Sequence, residues 1–294
     1  MAGCQKEGVY KPEKKISKIY DTSYLTGEKQ LYQTWNWDGD LLCSISYRGG
    51  DPGLRFQYKG KQLSSIYELG RDNQYFLFHY DKSGKRLDSL EVYKDLLSGN
   101  PNVRHIAHYA FSYNEDGLIS GYEEELYAYP VKGCNEALGL ALQCAIPGLP
   151  DVIAHKIAVP GKQSKSDEEI WGRISVSFIY QGDNVTECLI LTDDRQEEKY
   201  TLTYTDYLNP SYKLFQSTGF SSTGLYSKNL VKTCLYEHFW DSDSTMSYYE
   251  NTEYEYEIED NYPVKTTCNG SLHSYVLPEP AQTYTHVYYY EYCK

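Results

Sequence analysis

One short pattern recurs along this chain: an aromatic residue, any residue, a second aromatic residue, a turn with glycine, and an apolar segment. The clearest copy, at residues 78–93, reads FHYDKSGKRLDSLEVY. The second aromatic residues of the first three copies are Trp37, Tyr58 and Tyr80, which are 21 and 22 residues apart. Similarity at a nearly fixed period of this length indicates a repeated supersecondary unit. The recurrence therefore constrains the fold more than any other feature.

Each unit has the sequence of a β-hairpin. Alternation along Phe76, Phe78 and Tyr80 places three rings on one face of a strand. Glycine at the bend adopts positive φ at little cost, and neighbouring Asp or Asn side chains can accept hydrogen bonds from the turn backbone. These turn residues are Gly39, Gly60, Gly84 and Gly117, with Asp38, Asp81, Asn114 and Asp116 beside them. In the returning strand, the three-residue spacing of Leu87 and Leu90 predicts a β-bulge or a change of facing.

Further copies extend the pattern over most of the chain. A fourth copy lies at residues 111–127, and weaker copies lie at 178–191, 239–250 and 256–267. A single hairpin is marginal in water, so consecutive units must pair edge to edge. The sequence therefore predicts an all-β fold: a large curved antiparallel sheet of repeated hairpins, with a short insertion of helix and loop.

The predicted organisation has four parts. Residues 1–18 form a tether, 19–130 the first hairpins, 131–170 an insertion, and 171–294 further hairpins that continue the first sheet. The insertion breaks the pattern, and its segment CNEALGLALQC has a composition compatible with a helix. Two independent domains on either side of the insertion are the alternative.

Charge and hydropathy exclude some partners. The formal net charge of −13 and the pI near 5.0 oppose attraction to phosphate backbones, so nucleic acid is not an expected partner. No stretch approaches the roughly 18 apolar residues that a transmembrane helix requires.

The cysteines point to an oxidising or envelope setting. The start MAGCQKEG places Cys4 after small residues, as at the end of a bacterial lipoprotein signal, and predicts Cys4 as a lipid attachment site. An incidental cysteine near the terminus is the alternative. The chain has eight cysteines and no CxxC motif, which favours partial disulfide use over a metal site. Cys134 and Cys144 are the nearest pair and could close a loop within the insertion.

At the third unit, the residues from Phe78 to Leu87 resemble the YD repeat of Rhs-type proteins. The stretch YEYEIEDNYPVKTT at 254–267 is similar to bacterial envelope lipoproteins of unknown function that carry degenerate YD-like repeats. The resemblance implies a meandering antiparallel sheet that is surface-attached or secreted, here as an outer-membrane lipoprotein. It implies no catalytic residues.

No catalytic motif stands out. Nucleophile elbows, phosphate loops and HExxH signatures are absent from the sequence. Asp241 and Asp243 could offer oxygen ligands to Ca²⁺, but no closing glutamate follows them, and a solvated turn is favoured. We therefore expect no cofactor, no metal and no enzymatic activity.

The aromatic excess is the remaining functional signal. Trp35, Trp37, Tyr58 and Tyr80 are candidate ligand-binding residues, because exposed aromatic patches often mark binding sites. Packing of these rings into a core is the alternative. The leading hypothesis is a non-catalytic, lipid-anchored envelope protein that acts as a scaffold or binds a glycan or another envelope protein. A glycan-binding module is second, and a hydrolase with dispersed carboxylates third. An outer-membrane barrel is disfavoured because tyrosines and charges dilute any lipid-facing band.

Overall fold

The computed structural model describes residues 11–22, 27–48, 53–68, 74–95, 103–127, 172–193, 195–212, 227–239, 246–275 and 282–294. These residues form sixteen β-strands. The strands are β1 (Ile16–Thr22), β2 (Lys29–Asp38), β3 (Leu41–Tyr47), β4 (Leu54–Lys59), β5 (Gln62–Glu68), β6 (Gln74–Tyr80), β7 (Leu87–Asp95), β8 (Val103–Tyr113), β9 (Ile119–Leu126), β10 (Gly172–Gln181), β11 (Asn184–Thr192), β12 (Arg195–Leu208), β13 (Asn229–Phe239), β14 (Met246–Glu259), β15 (Tyr262–Ser274) and β16 (Gln282–Tyr292).

The strands close into one antiparallel barrel. Each strand pairs with its neighbours in chain order, and β16 returns to pair with β1. The prediction of an all-β, antiparallel fold is confirmed, but the sheet is closed and is not an open curved sheet. An open sheet would have two edge strands with unpaired backbone groups, and closure of the barrel removes these edges. Pairing of β9 with β10 places both predicted sets of hairpins in this barrel.

The expected helix at 131–170 lies outside the described residues. None of the elements in the described part of the chain is a helix, so none there is long and apolar enough to cross a membrane.

Tight turns cluster at one end of the barrel, which we call the turn end; the opposite end is the loop end. The predicted turn glycines all have positive φ, between 52° at Gly39 and 78° at Gly117. Asp81 accepts a hydrogen bond from the Lys85 backbone N–H at 2.8 Å, and Asn114 accepts one from that of Leu118 at 2.9 Å. The turn chemistry predicted from the sequence is therefore confirmed at these two turns.

A β-bulge follows the turn in several hairpins. In the third unit His79 pairs with Ser89 and Tyr80 with Leu87, so Asp88 is the extra residue. Because of the bulge, the side chains of Leu87 and Leu90 both point inward although the residues are three apart, and both are fully buried. Equivalent shifts occur beside Trp37, Tyr58, Tyr113, Tyr180 and Tyr204.

Eight side chains around the barrel, among them the second aromatic residues of the clearest units, each donate one hydrogen bond to a neighbouring strand, and we call this set of bonds the girdle. Each donor lies on an even-numbered strand, and its acceptor is a backbone carbonyl on the preceding odd-numbered strand. The pairs are Trp37 with Ile16, Tyr58 with Leu42, Tyr80 with Leu63, Tyr113 with Leu87, Tyr180 with Ile119, Tyr204 with Val185, Tyr256 with Val231 and Tyr292 with Pro263. The girdle thus passes through all sixteen strands.

The sequence pattern missed two members of the girdle. Tyr204 is followed by a long connection instead of a glycine turn, and Tyr292 lies in the last strand. The weak copy predicted at 239–250 spans the connection from β13 to β14, which is at the loop end, and residues 240–245 lie outside the described part.

The interior next to the girdle is apolar and largely buried. Seven of the eight inward residues one step from the girdle are at most 7% exposed: Trp35, Phe56, Phe78, Phe178, Leu202, Tyr254 and Tyr290. The eighth, Phe111, is half-buried. Outward positions are mostly polar, as shown by Glu253, Glu255 and Glu257 on β14. Among the described residues, the exposed large hydrophobic side chains are Leu31, Ile179, Tyr207 and Tyr275. Within the described ranges, apolar side chains therefore line the interior beside the girdle, and polar side chains predominate on the outer face.

The lysine-rich segment before β1 binds to the turn end. Lys14 forms an ion pair with Asp260 at 2.9 Å, and Lys15 forms one with Asp40 at 2.8 Å. The backbone N–H of Cys293 donates to the carbonyl of Lys15 at 2.8 Å. The first barrel strand begins at Ile16, inside the segment interpreted as a tether, because its backbone pairs with β16 and β2.

Tyr80→Phe tests the girdle. The variant leaves the buried carbonyl of Leu63 without the 2.7 Å hydrogen bond from the tyrosine hydroxyl, so we expect a loss of about 1 to 2 kcal/mol in the free energy of unfolding. Urea unfolding monitored by circular dichroism measures this loss. Tyr275→Phe, at a side chain that is 64% exposed, is the matched control. Equal effects of the two substitutions would contradict a stabilising role of the girdle.

Candidate functional site

The four aromatic residues predicted to bind ligand belong to the barrel interior. Trp35 is 3% exposed, and its indole N–H donates to the Gln33 side chain at 2.9 Å. Trp37, Tyr58 and Tyr80 pack against the core and use their polar atoms in the girdle. These rings therefore do not form the exposed platform that the sequence suggested, because the alternation places them on the inner face.

The five described cysteines form no disulfide with one another. Cys188, Cys234 and Cys268 are buried on alternate strands of the C-terminal half, and Cys43 and Cys293 are less buried. Burial raises the pKa of the Cys188 and Cys234 thiols, so neither is a reactive thiolate. Cys4, Cys134 and Cys144 lie outside the described residues.

The inner face of the C-terminal strands carries a polar wall that the sequence analysis did not identify. On β14 to β16, two rows of paired residues face the interior: Thr252, Gly270 and Tyr284 in one row, and Tyr254, Cys268 and His286 in the next. Cys268 is buried, whereas His286 beside it is exposed. Solvent therefore reaches this inner face near the loop end. The only signal in the sequence was the polar residues at inward positions of β14.

Three interior carboxylates each accept a hydrogen bond from a tyrosine. The Tyr109 hydroxyl donates to Glu124 at 2.6 Å, and the Tyr200 hydroxyl donates to Glu198 at 2.8 Å. Glu250 accepts hydrogen bonds from the hydroxyls of Tyr284 and Thr252. The acceptors are thus paired with donors inside the barrel, as buried polar groups require.

Burial changes the protonation of this network. It raises the pKa of Glu124 to about 7, although the hydrogen bond from Tyr109 acts in the opposite direction. Burial and the nearby Glu124 also raise the pKa of Tyr109 well above its usual value. Tyr109 therefore keeps its proton at neutral pH, and the raised pKa makes Glu124 the group of the pair that can change protonation there.

Gly270 allows the Tyr284 ring to reach Glu250. A Cβ at position 270 would lie 2.0 Å from Cζ of Tyr284, so the ring packs directly on the glycine backbone. This close approach sets the position of the Tyr284 hydroxyl against Glu250. A residue without a side chain is therefore required at this point of β15.

Two hydroxyls on or next to the polar wall have no hydrogen-bond partner among the described residues. They belong to Tyr254, which is 6% exposed, and to Thr266, the next inward residue after Cys268 on β15, which is fully buried. Buried hydroxyls of this kind are commonly satisfied by internal water. No group of three His, Cys, Asp or Glu side chains in the described ranges is placed to hold a metal ion. Asp241 and Asp243 lie outside those ranges.

A cleft of about 220 Å³ opens at the turn end. It lies between the segment before β1, the end of β12 and the start of β15, and its lining includes Lys11, Glu13, Leu208, Tyr212, Lys228 and Tyr262. The Tyr262 hydroxyl donates to Glu13 at 3.1 Å, which joins the two sides of the cleft. Sequence reasoning missed this cleft because its lining comes from distant parts of the chain.

Comparison with known proteins leaves the family open. No family model and no curated protein matches the chain. A porin-like protein from Bacteroides vulgatus ATCC 8482 has a TM-score of 0.49 and 12% identity over 96% of this chain and 99% of its own. The TcdB2-TccC3-Cdc42 complex has a TM-score of 0.31 and 10% identity over 92% of this chain and 13% of its own. At these values neither likeness identifies a family or a function.

Glu124→Gln should change the pH dependence of stability. The folded-state pKa of Glu124 is raised to about 7 from 4.5, so the folded protein holds this proton more tightly than the unfolded chain. The contribution of Glu124 to the free energy of unfolding is most favourable below pH 4.5, and it falls as the pH rises to about 7. Between about pH 5 and about pH 8, the wild type should lose roughly 2 to 3 kcal/mol relative to the variant. Urea unfolding at both pH values measures the difference, with exposed Glu123→Gln as control, and a constant difference would refute the prediction.

Gly270→Ala should displace Tyr284. The new methyl group forces the ring away and breaks its hydrogen bond to buried Glu250, so we expect a loss of about 2 kcal/mol or more in stability. Thermal unfolding measures this loss. Gly172→Ala is the control, since nothing lies within 4 Å of a Cβ there. Similar costs at both positions would show that Tyr284 does not depend on Gly270.

Proposed function

We propose that this chain is a non-catalytic, lipid-anchored protein of the bacterial cell envelope whose barrel serves as a rigid scaffold and binding surface. The girdle is the observation that carries the proposal. In the girdle, the residue that recurs in the copies of the repeat, the second aromatic residue, donates a hydrogen bond within the barrel wall. The repeat therefore builds a closed, stable body, and ligands are left to bind at its ends and connections.

The interior carboxylates support a role without catalysis. Glu198 is 3% exposed and Glu250 is 4% exposed, and each accepts a tyrosine hydroxyl. A hydrolase would need a carboxyl pair that faces a substrate and an attacking water. Shielded and internally paired, these carboxylates are suited to fixing the positions of neighbouring strands.

Charges on the outer face favour attachment by a lipid over insertion of the barrel. Glu253, Glu255 and Glu257 project outward in succession from β14. Charged side chains on a lipid-facing barrel surface are destabilising, by up to about 2 to 4 kcal/mol each for the basic residues and less for the acidic ones. A lipid on Cys4 would hold such a barrel at a membrane while its wall stays in water.

Cys4→Ser tests the proposed anchor. The full gene product should incorporate labelled palmitate and sediment with membranes, whereas the variant should incorporate none and lose this stable attachment, because acylation requires the Cys4 thiol. Cys43→Ser, at a half-buried thiol within the barrel, is the matched control and should behave like the wild type. An unlabelled, soluble wild-type product would contradict the proposal.

A further inference from the structure

We propose that the turn-end cleft binds the zwitterionic headgroup of phosphatidylethanolamine. This inference rests on the proposed function, because a lipid on Cys4 brings the turn end to a membrane. Lys11, which lines the cleft, is seven positions after Cys4. Even when fully extended, that length of chain spans at most about 25 Å. The cleft would therefore lie close to the lipid headgroups.

Charges in the cleft match a phosphate and an ammonium group. Two ammonium groups, of Lys11 and Lys228, and one carboxylate, of Glu13, belong to its lining. The lining side chains alone thus carry two positive charges and one negative charge, in a chain whose formal net charge is −13. Lysine is a common ligand of phosphate oxygens, and a carboxylate accepts hydrogen bonds from an ammonium group.

The lysines remain available to a ligand. Lys11 lies 3.5 Å from Asp40 and is 64% exposed, and Lys228 lies 3.4 Å from Asp183 and is 48% exposed. Exposed pairs of this kind contribute little to stability, so a phosphate can replace the aspartates at small cost.

Glu13 is held in place for the second charge. Its Oε2 accepts the hydroxyl of buried Tyr262, and a carboxylate has further acceptor sites on both oxygens. Glu13 would repel an isolated anion. In a phosphoethanolamine group, the ammonium group can instead pair with the Glu13 carboxylate. Apolar side chains such as Leu208 complete the lining, against which the carbon chain of the headgroup can pack.

The experiment uses the full chain with Cys4→Ser, which carries no lipid of its own. Titration with glycerophosphoethanolamine, followed by NMR, should show saturable binding, and glycerol 3-phosphate should bind more weakly. Lys11→Ala with Lys228→Ala should weaken binding at least tenfold. Lys59→Ala with Lys82→Ala, at exposed lysines of other turns at the same end, should leave it unchanged. Glu13→Gln should remove the preference for the ethanolamine ester over glycerol 3-phosphate.

Flotation distinguishes lipid from soluble ester. The Cys4→Ser chain should float with phosphatidylcholine vesicles only when they also contain phosphatidylethanolamine. Binding of the soluble ester without flotation would overturn the lipid assignment, and equal binding of both soluble phosphates would overturn the zwitterionic one. Acylation of the wild type without headgroup binding would overturn this inference and leave the proposed anchor intact. Headgroup binding without acylation of the wild type would overturn the proposed anchor and leave the binding of phosphatidylethanolamine by the cleft intact.

Discussion

The rest of the barrel depends on the hydrogen bond from one side chain to a backbone carbonyl on the neighbouring strand. Each donor side chain lies on an even-numbered strand and binds a carbonyl near the start of the preceding strand, as the Tyr113 hydroxyl does at Leu87. The bond fixes the position of that strand relative to the donor strand. The neighbouring bulge aligns the inward side chains with this contact. Since a slip of one residue would send an entire strand's apolar side chains to the outer face, the girdle and the bulges together specify register.

The two halves of the barrel use this frame differently. Strands in the N-terminal half are short, and their inward positions are mainly apolar, as at Phe56 and Phe76. Strands β12 to β16 are longer, and their extra length carries carboxylates and hydroxyls such as those of Glu198 and Thr252 on the inner face. The apolar rows supply most of the hydrophobic stabilisation, while the polar wall places hydrogen-bonding groups on the inner face towards the loop end.

Local features of the fold were predictable from the sequence, and long-range features were not. Glycine at a bend, an Asp or Asn beside it, and the odd spacing of Leu87 and Leu90 each act within a few residues, so hairpins, turns and bulges could be read directly. Closure depends on the pairing of Tyr20 with Tyr289, which no local pattern encodes. The alternation of aromatic residues predicted that they share one face of the sheet, but it did not indicate whether that face points into the barrel. The Tyr109–Glu124 pair depends on the exact register of the β8–β9 hairpin, and the turn-end cleft joins distant segments, so neither had a sequence signature.

The seam between β1 and β16 has a consequence for the order of assembly. The pairing of Ile16 with Tyr292 joins β1 to β16, so the ring can close only after β16 has been synthesised. Until then β1 offers an unpaired strand edge to any other chain, and contacts of such high sequence separation form slowly. Molecules in which β16 has not yet paired are therefore the species most exposed to aggregation, and a holdase chaperone that covers the β1 edge would raise the yield of closed barrels.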